Sequence, residues 1–191
     1  LDDSGTATKP ISVAAYNTKN SWDSPSGPES DPTIILGDIA SFSSRGPRRS
    51  CSDISQCPTV QKPDITAPGN LIMSALSSHK ASPNPSRIDV DGVHIALDGT
   101  SMATPHVAGA VALLLQVAPT LTSDEIKVIL ALTTKAEDSH TETLPNNTWG
   151  YGKMDVLAAY AATLSLLPAV PADMTAAAGV GQVTVSWSPA L

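Results

Sequence analysis

Apolar and polar positions divide this chain into segments of different character. Residues 11–16, ISVAAY, are a short apolar run between polar neighbours and predict a buried strand. Residues 17–33 are rich in Asn, Ser, Pro, Gly and Asp and predict a long surface loop. IILGDIASF (34–42) predicts a strand leading into the turn-rich SSRGP at 43–47. Around 63–69, KPDITAPG carries prolines near both ends and a closing glycine. The prolines fix φ, so this stretch is expected to be a rigid crossing and not a helix.

LIMSAL (71–76) and VHIAL (93–97) predict strands, with SSHKASPNPS as loop after the first. The chain then turns through Asp98 and Gly99 into a helix over 101–117. From Val107 to Leu115 that helix is apolar on nearly every side, which predicts burial at a domain centre. Thr122-Ser-Asp-Glu125 matches a capping box, and Ile126, Ile129 and Leu130 supply the apolar stripe of the helix it opens. WGYGKMD (149–155) is a glycine-hinged turn into a third helix over 156–166. Strand, loop, strand and then three helices is the order expected for the tail of an α/β domain, residues 1–167, whose earlier parallel strands lie elsewhere.

The composition changes after Leu167. PAVPADM (168–174) predicts a proline-rich linker, and GQVTVSWSPAL (181–191) an alternating strand. Val183, Val185 and Trp187 fall on one face and Thr184, Ser186 and Ser188 on the other. One strand cannot bury its own apolar face, so residues 168–191 predict the start of a second, β-rich domain.

Aromatics make up only 4% of the 191 residues, so the core must be built from Ala, Val, Leu and Ile. The net charge of −7, with no basic cluster beyond 45–49, excludes nucleic acid as an expected partner. No uninterrupted apolar run reaches the roughly 18 residues of a membrane span. The chain opens at Leu1 without a basic or apolar leader, so it is expected to start after processing or inside a longer product. Cys51 and Cys57, six apart in a polar stretch, fit a disulfide in an oxidising compartment or a pair of free thiols. A metal site there lacks further ligands at suitable spacing.

The most informative string is GTSMATPHVAG (99–109). Ser101 falls at the start of a helix, where unpaired backbone N–H groups and the positive end of the dipole stabilise developing negative charge. Ala103 is small and leaves room above Ser101, and Pro105 lies in the first turns, where its missing N–H is tolerated. On these residues alone, Ser101 is either a nucleophile or an ordinary helix cap.

The eleven-residue string resembles the active-serine motif of the subtilase family of serine proteases (peptidase S8). Flanking segments agree in order: ISVAAY resembles the family's strand beyond its oxyanion-hole asparagine. IASFSSRGP and KPDITAPG resemble the two segments before the active serine, and GYGKMD resembles the turn into the last helix. The setting is GTSMA and not the G-x-S-x-G elbow of α/β-hydrolases. The resemblance implies the C-terminal part of a subtilisin-like, doubly wound parallel sheet with helices on both faces. Ser101 is then the catalytic nucleophile of a secreted, multidomain endopeptidase acting on peptide or protein substrates. Thr100 is implied to support the oxyanion or substrate, or is simply a turn residue. Met102, beside the nucleophile, is a point of oxidative inactivation if exposed. The terminal segment resembles the opening of a fibronectin type III module.

A serine hydroxyl needs a base. In subtilases the order is Asp, His, Ser, so the Asp, the His and the oxyanion Asn are expected upstream of Leu1, in the rest of the same catalytic domain. The four histidines do not replace them. His106 lies about 140° around the helix from Ser101 and is expected to be a buried structural residue. His94 and Asp98 sit on or beside one straight strand, and His79 and His140 lie in polar loops. Asp2, Asp3, Glu29 and Asp31 are expected to solubilise loops. No run of acids has calcium-loop spacing, although calcium is common in the family, and no other cofactor is expected. This segment alone is expected to be inactive and poorly soluble. The alternative function is a non-catalytic binding or assembly module.

Overall fold

The structure is a computed structural model and describes residues 7, 9–48, 60–79, 83–135, 138–167 and 172–188. Cys51, Cys57, Asp2 and Asp3 lie outside the described residues. The centre is a parallel pair, β1 (Val13–Asn17) and β4 (Ile65–Asn70), with Ala14 opposite Thr66 and Ala15 opposite Ala67. Parallel strands are covered by helices, and their apolar residues are correspondingly buried: Ala14, Ala15, Ile65 and Ala67.

Helix α1 (Thr100–Val117) lies across both strands. Its buried residues, Ala103, Val107, Ala110 and Leu114, recur at helical spacing and form a single stripe. Gly69 of β4 permits this approach: a Cβ there would lie 2.5 Å from Ala15 Cβ and 3.1 Å from Ala103 Cβ. Helix α3 (Val156–Leu164) packs on α1 through the buried Ala159, and α2 (Ser123–Leu132) packs on α3. The predicted capping box is formed: the Glu125 amide donates to Thr122 Oγ1 (3.3 Å) and the Thr122 amide to Glu125 Oε2 (2.8 Å).

Three lysines brace this layer. Lys62, 1% exposed, donates to the Pro10 carbonyl (3.2 Å) and to Asp64 Oδ2 (2.6 Å). Asp64 also accepts from the Ser12 amide (2.7 Å) and from Lys127 on α2 (3.3 Å). It thereby ties the starts of β1 and β4 to the helix. Burial holds the Lys127 ammonium below its usual pKa. Lys153 pairs with Asp138 (2.6 Å) and lies over the rings of Trp149 (5.0 Å) and Tyr16 (5.4 Å).

Several expectations need correction. KPDITAPG is no mere crossing: its second half is the central strand β4. A proline φ suits extended backbone, so Pro68 is accommodated opposite Tyr16. The 17–33 loop contains a hairpin, β2 (Ser21–Ser24) with β3 (Gly27–Ser30), which polar composition concealed. Within it, Glu29 accepts a bond from Ser24 Oγ (3.2 Å), and Asp31 caps the following turn by accepting from the Thr33 amide (2.9 Å). The predicted strand in 34–42 is a series of turns with one bridge, Ile39 to Tyr16, because Gly37 takes φ +86°.

Strands β5 (Ile72–Ala75) and β6 (His94–Leu97) match the prediction and pair antiparallel. One face of α1 is buried, while Leu113 on another is 42% exposed. This helix is long and apolar enough to cross a membrane, with mean hydropathy 1.2, but it packs on β1, β4 and α3 as a domain helix does. The linker predicted over 168–174 gives way at Ala172 to β7 (Ala172–Gly179). That strand pairs antiparallel with β8 (Gln182–Ser188) through a tight turn in which Gly181 has φ +72°. Pairing with β8 supplies the order that the Ala-rich run does not show by propensity.

Candidate active site

The serine singled out by the sequence stands at the second position of α1 and is exposed. The helix cap is Gly99, with no side chain capping the end, so Ser101 is not the N-cap residue. The first residues of a helix have no intrahelical acceptor for their N–H groups. Thr100 and Ser101 therefore present amide hydrogens and the positive end of the dipole beside the Ser101 hydroxyl. Gly99 has φ +149°, a conformation that favours glycine, and a Cβ there would lie 3.6 Å from Met102 Sδ.

The turn is fastened to the ends of the central strands. Gly99 N donates to the Gly69 carbonyl (2.8 Å), and Leu71 N donates to Asp98 Oδ1 (2.9 Å). Gly99 O in turn accepts from the amides of Met102 (2.9 Å) and Ala103 (3.3 Å). At the carboxyl ends of β1 and β4, Asn70 Nδ2 donates to Asn17 Oδ1 (2.9 Å), with both residues buried. The carboxyl edge of a parallel sheet is where α/β folds bind ligands.

Two clefts flank the turn. One, about 460 Å³, touches Asp98 and is lined also by Asn17, Asp31, Phe42, Asn70 and Arg87. The other, about 380 Å³, touches Met102 and is more apolar, with Ile72, Met73, Leu97, Pro105 and His106.

None of the histidines joins Ser101. His106 is exposed and not buried as expected; its Nδ1 lies 2.8 Å from the Met102 carbonyl. His94 pairs with Asp91 (2.5 Å) at the surface, where hydrogen bonds from the Val93 amide and from His94 hold the Asp91 carboxyl below its ordinary range. His79 is exposed and His140 half-buried, its ring against Gly37. Among the described residues, no hydrogen bond joins Ser101 to a histidine or carboxylate. Thr100 is half-buried, and its carbonyl accepts from Thr104 Oγ1 (2.9 Å). Also among the described residues, no three His, Cys, Asp or Glu side chains converge to hold a metal ion. The sequence reading missed Arg87, Trp22 and the Asn17–Asn70 pair. Arg87 and Trp22 lie in polar stretches without periodicity, Asn17 and Asn70 end β1 and β4, and the fold alone brings them to the turn.

Residues 1–152 match the model of the subtilase family, Peptidase_S8. The chain belongs to the subtilase family. It is 35% identical over 131 residues to the minor extracellular protease Vpr of Bacillus subtilis, covering 68% of this chain and 14% of Vpr. It is 40% identical over 136 residues to the serine protease AprX of the same organism, covering 66% of this chain and 25% of AprX. Among solved structures, a protease of Pseudoalteromonas arctica superposes with TM-score 0.56 at 26% identity, covering 84% of this chain and 38% of that one. The subtilisin-like α/β fold is thereby established, and this chain spans a quarter or less of the length of Vpr and AprX. Subtilases are serine proteases, so peptides or proteins are the substrate class of the family.

Proposed function

We propose that this chain is the C-terminal part of a subtilase catalytic domain and carries its nucleophile, Ser101. The observation that supports this most is the position of Ser101: exposed at the start of α1, behind a glycine cap, with its chain neighbours Asp98 and Met102 each lining a cleft. The aspartate, the histidine and the oxyanion asparagine come from chain preceding Leu1. The imidazole takes the proton of Ser101 Oγ as the oxygen adds to the substrate carbonyl carbon. The amide of Ser101, supported by Thr100 and the upstream asparagine, stabilises the resulting oxyanion. Collapse breaks the C–N bond, the imidazolium proton goes to the departing amine, and an ester remains on Ser101. Water, deprotonated by the same imidazole, then hydrolyses that ester.

The exposed face of α1 is where the upstream part of the domain packs. Residues 168–191 begin a fibronectin type III-like domain: in the β7–β8 hairpin Met174, Val183 and Val185 are exposed and await the remaining strands. Secretion fits the extracellular relative Vpr. The test is protein hydrolysis by the full-length protein and by its Ser101→Ala variant. Loss of hydrolysis in the variant is expected; equal hydrolysis would overturn the assignment.

A further inference from the structure

Asp98, three residues before Ser101, is gripped from outside the motif. Arg87 Nη1 donates to its Oδ1 (3.0 Å) and Nη2 lies 2.9 Å from its Oδ2, a two-pronged pair with both side chains about two-thirds buried. Arg87 is itself held. It closes a one-turn 3-10 helix (Pro85–Arg87) capped by Asn84, and the next residue, Ile88, bridges to Ile95 of β6. Its guanidinium lies 5.4 Å from the ring centroid of Trp22, and Trp22 Nε1 donates to the Ser86 carbonyl (2.6 Å). The β2–β3 hairpin thus serves as a rigid backing for the arginine.

What Asp98 does with this support bears on the nucleophile. Its Oδ1 accepts from Leu71 N, and Leu71 is a buried non-glycine residue with φ +52°, a strained conformation that persists only where neighbours enforce it. One residue past Asp98, Gly99 N reaches back to the Gly69 carbonyl (2.8 Å). Asp98 and Gly99 are therefore stitched to 69–71 by two bonds, and the arginine fixes the carboxylate that makes one of them.

We propose that Arg87, backed by Trp22, is a positioning residue for the Ser101 nucleophile, acting through Asp98 on the Gly99–Ser101 turn. This rests on the reading of Ser101 as nucleophile. Without the guanidinium the carboxylate of Asp98 is free to rotate into water, the Leu71 bond weakens, and the Ser101 hydroxyl loses its fixed place. Lysine is no substitute, because a single ammonium cannot fork onto both oxygens.

The experiment uses the full-length protein, a fluorophosphonate that labels active serines, and a chromogenic peptide substrate. Arg87→Ala is expected to lower kcat and the labelling rate constant by about 10- to 100-fold, the scale of a misplacement near 1 Å, with KM unchanged. Asp98→Asn is expected to do the same, and the double variant to be no slower than the slower single, because the two act through one pair. Arg87→Lys is expected to be slowed too; it stands in should the alanine variant fail to accumulate. A merely structural role would lower the melting temperature and leave kcat intact below the melt. Wild-type rates in Arg87→Ala or Arg87→Lys, or multiplicative losses in the double variant, would overturn the proposal while leaving the nucleophile assignment standing. Absence of labelling in the wild type would overturn both.

Discussion

A methyl group added at Gly69 tests the closeness of β4 and α1, on which the position of Ser101 depends. The new Cβ would stand 2.5 Å from Ala15 Cβ, 3.0 Å from the Gly99 carbonyl oxygen and 3.1 Å from Ala103 Cβ. None of these is the tip of a flexible side chain, so relief requires that strand and helix move apart. Overpacking of this kind costs about 1–3 kcal/mol. In a domain of this size that lowers the melting temperature by roughly 2–12 °C. The Gly99 oxygen accepts the first bonds of α1, so the displacement also reaches the serine. Thermal unfolding of full-length Gly69→Ala, followed by circular dichroism, reads the first effect, and the fluorophosphonate labelling rate reads the second. A variant with unchanged melting temperature and unchanged labelling would refute the packing argument.

Other predictions follow from the same contacts. Gly99→Ala forces a side chain onto φ +149° and is expected to lose about 1–3 kcal/mol and most serine labelling, measured by denaturant titration and by probe incorporation. Lys62→Met leaves Asp64, among the described residues, with Lys127 as its cationic partner and is expected to destabilise by about 2–4 kcal/mol; a midpoint shift in urea unfolding measures it. The hydrogen bond from Lys153 holds the Asp138 carboxyl below its ordinary pKa of 3.8. Its contribution to stability is thus complete above that value and lost as pH falls through the lower folded value. Melting temperatures taken from about pH 2 to pH 5 should fall more steeply for the wild type than for Lys153→Met.

The legible parts of this fold were those where one short string carries its own physics. The capping box at Thr122 and Glu125 is satisfied by residues three apart, and the Gly99–Ser101 turn needs only a glycine and the helix behind it. Strands β5 and β6 showed themselves by apolar runs between turn residues. Strand β4 did not, because prolines read as punctuation when the partner strand that accommodates Pro68 is out of view. The β2–β3 hairpin was hidden by its polar composition, and its anchor, Trp22, bonds to a residue 64 positions away. The buried Lys62 runs against every propensity for lysine and is explained only by Asp64 and the Pro10 carbonyl. Apolar residues all round α1 mark a central helix, yet local sequence cannot say which of its faces this stretch of chain covers. The Arg87–Asp98 pair joins a 3-10 turn to the residue just after β6, 11 positions on, and no periodic pattern announces such a pair.

The central claim is that a single serine, Ser101, is the nucleophile. Its most direct test is peptide mapping by mass spectrometry of the full-length protein after fluorophosphonate treatment. One phosphonyl adduct on Ser101, absent from Ser101→Ala, is the predicted result. An adduct on another serine, or one that persists in the alanine variant, would contradict it.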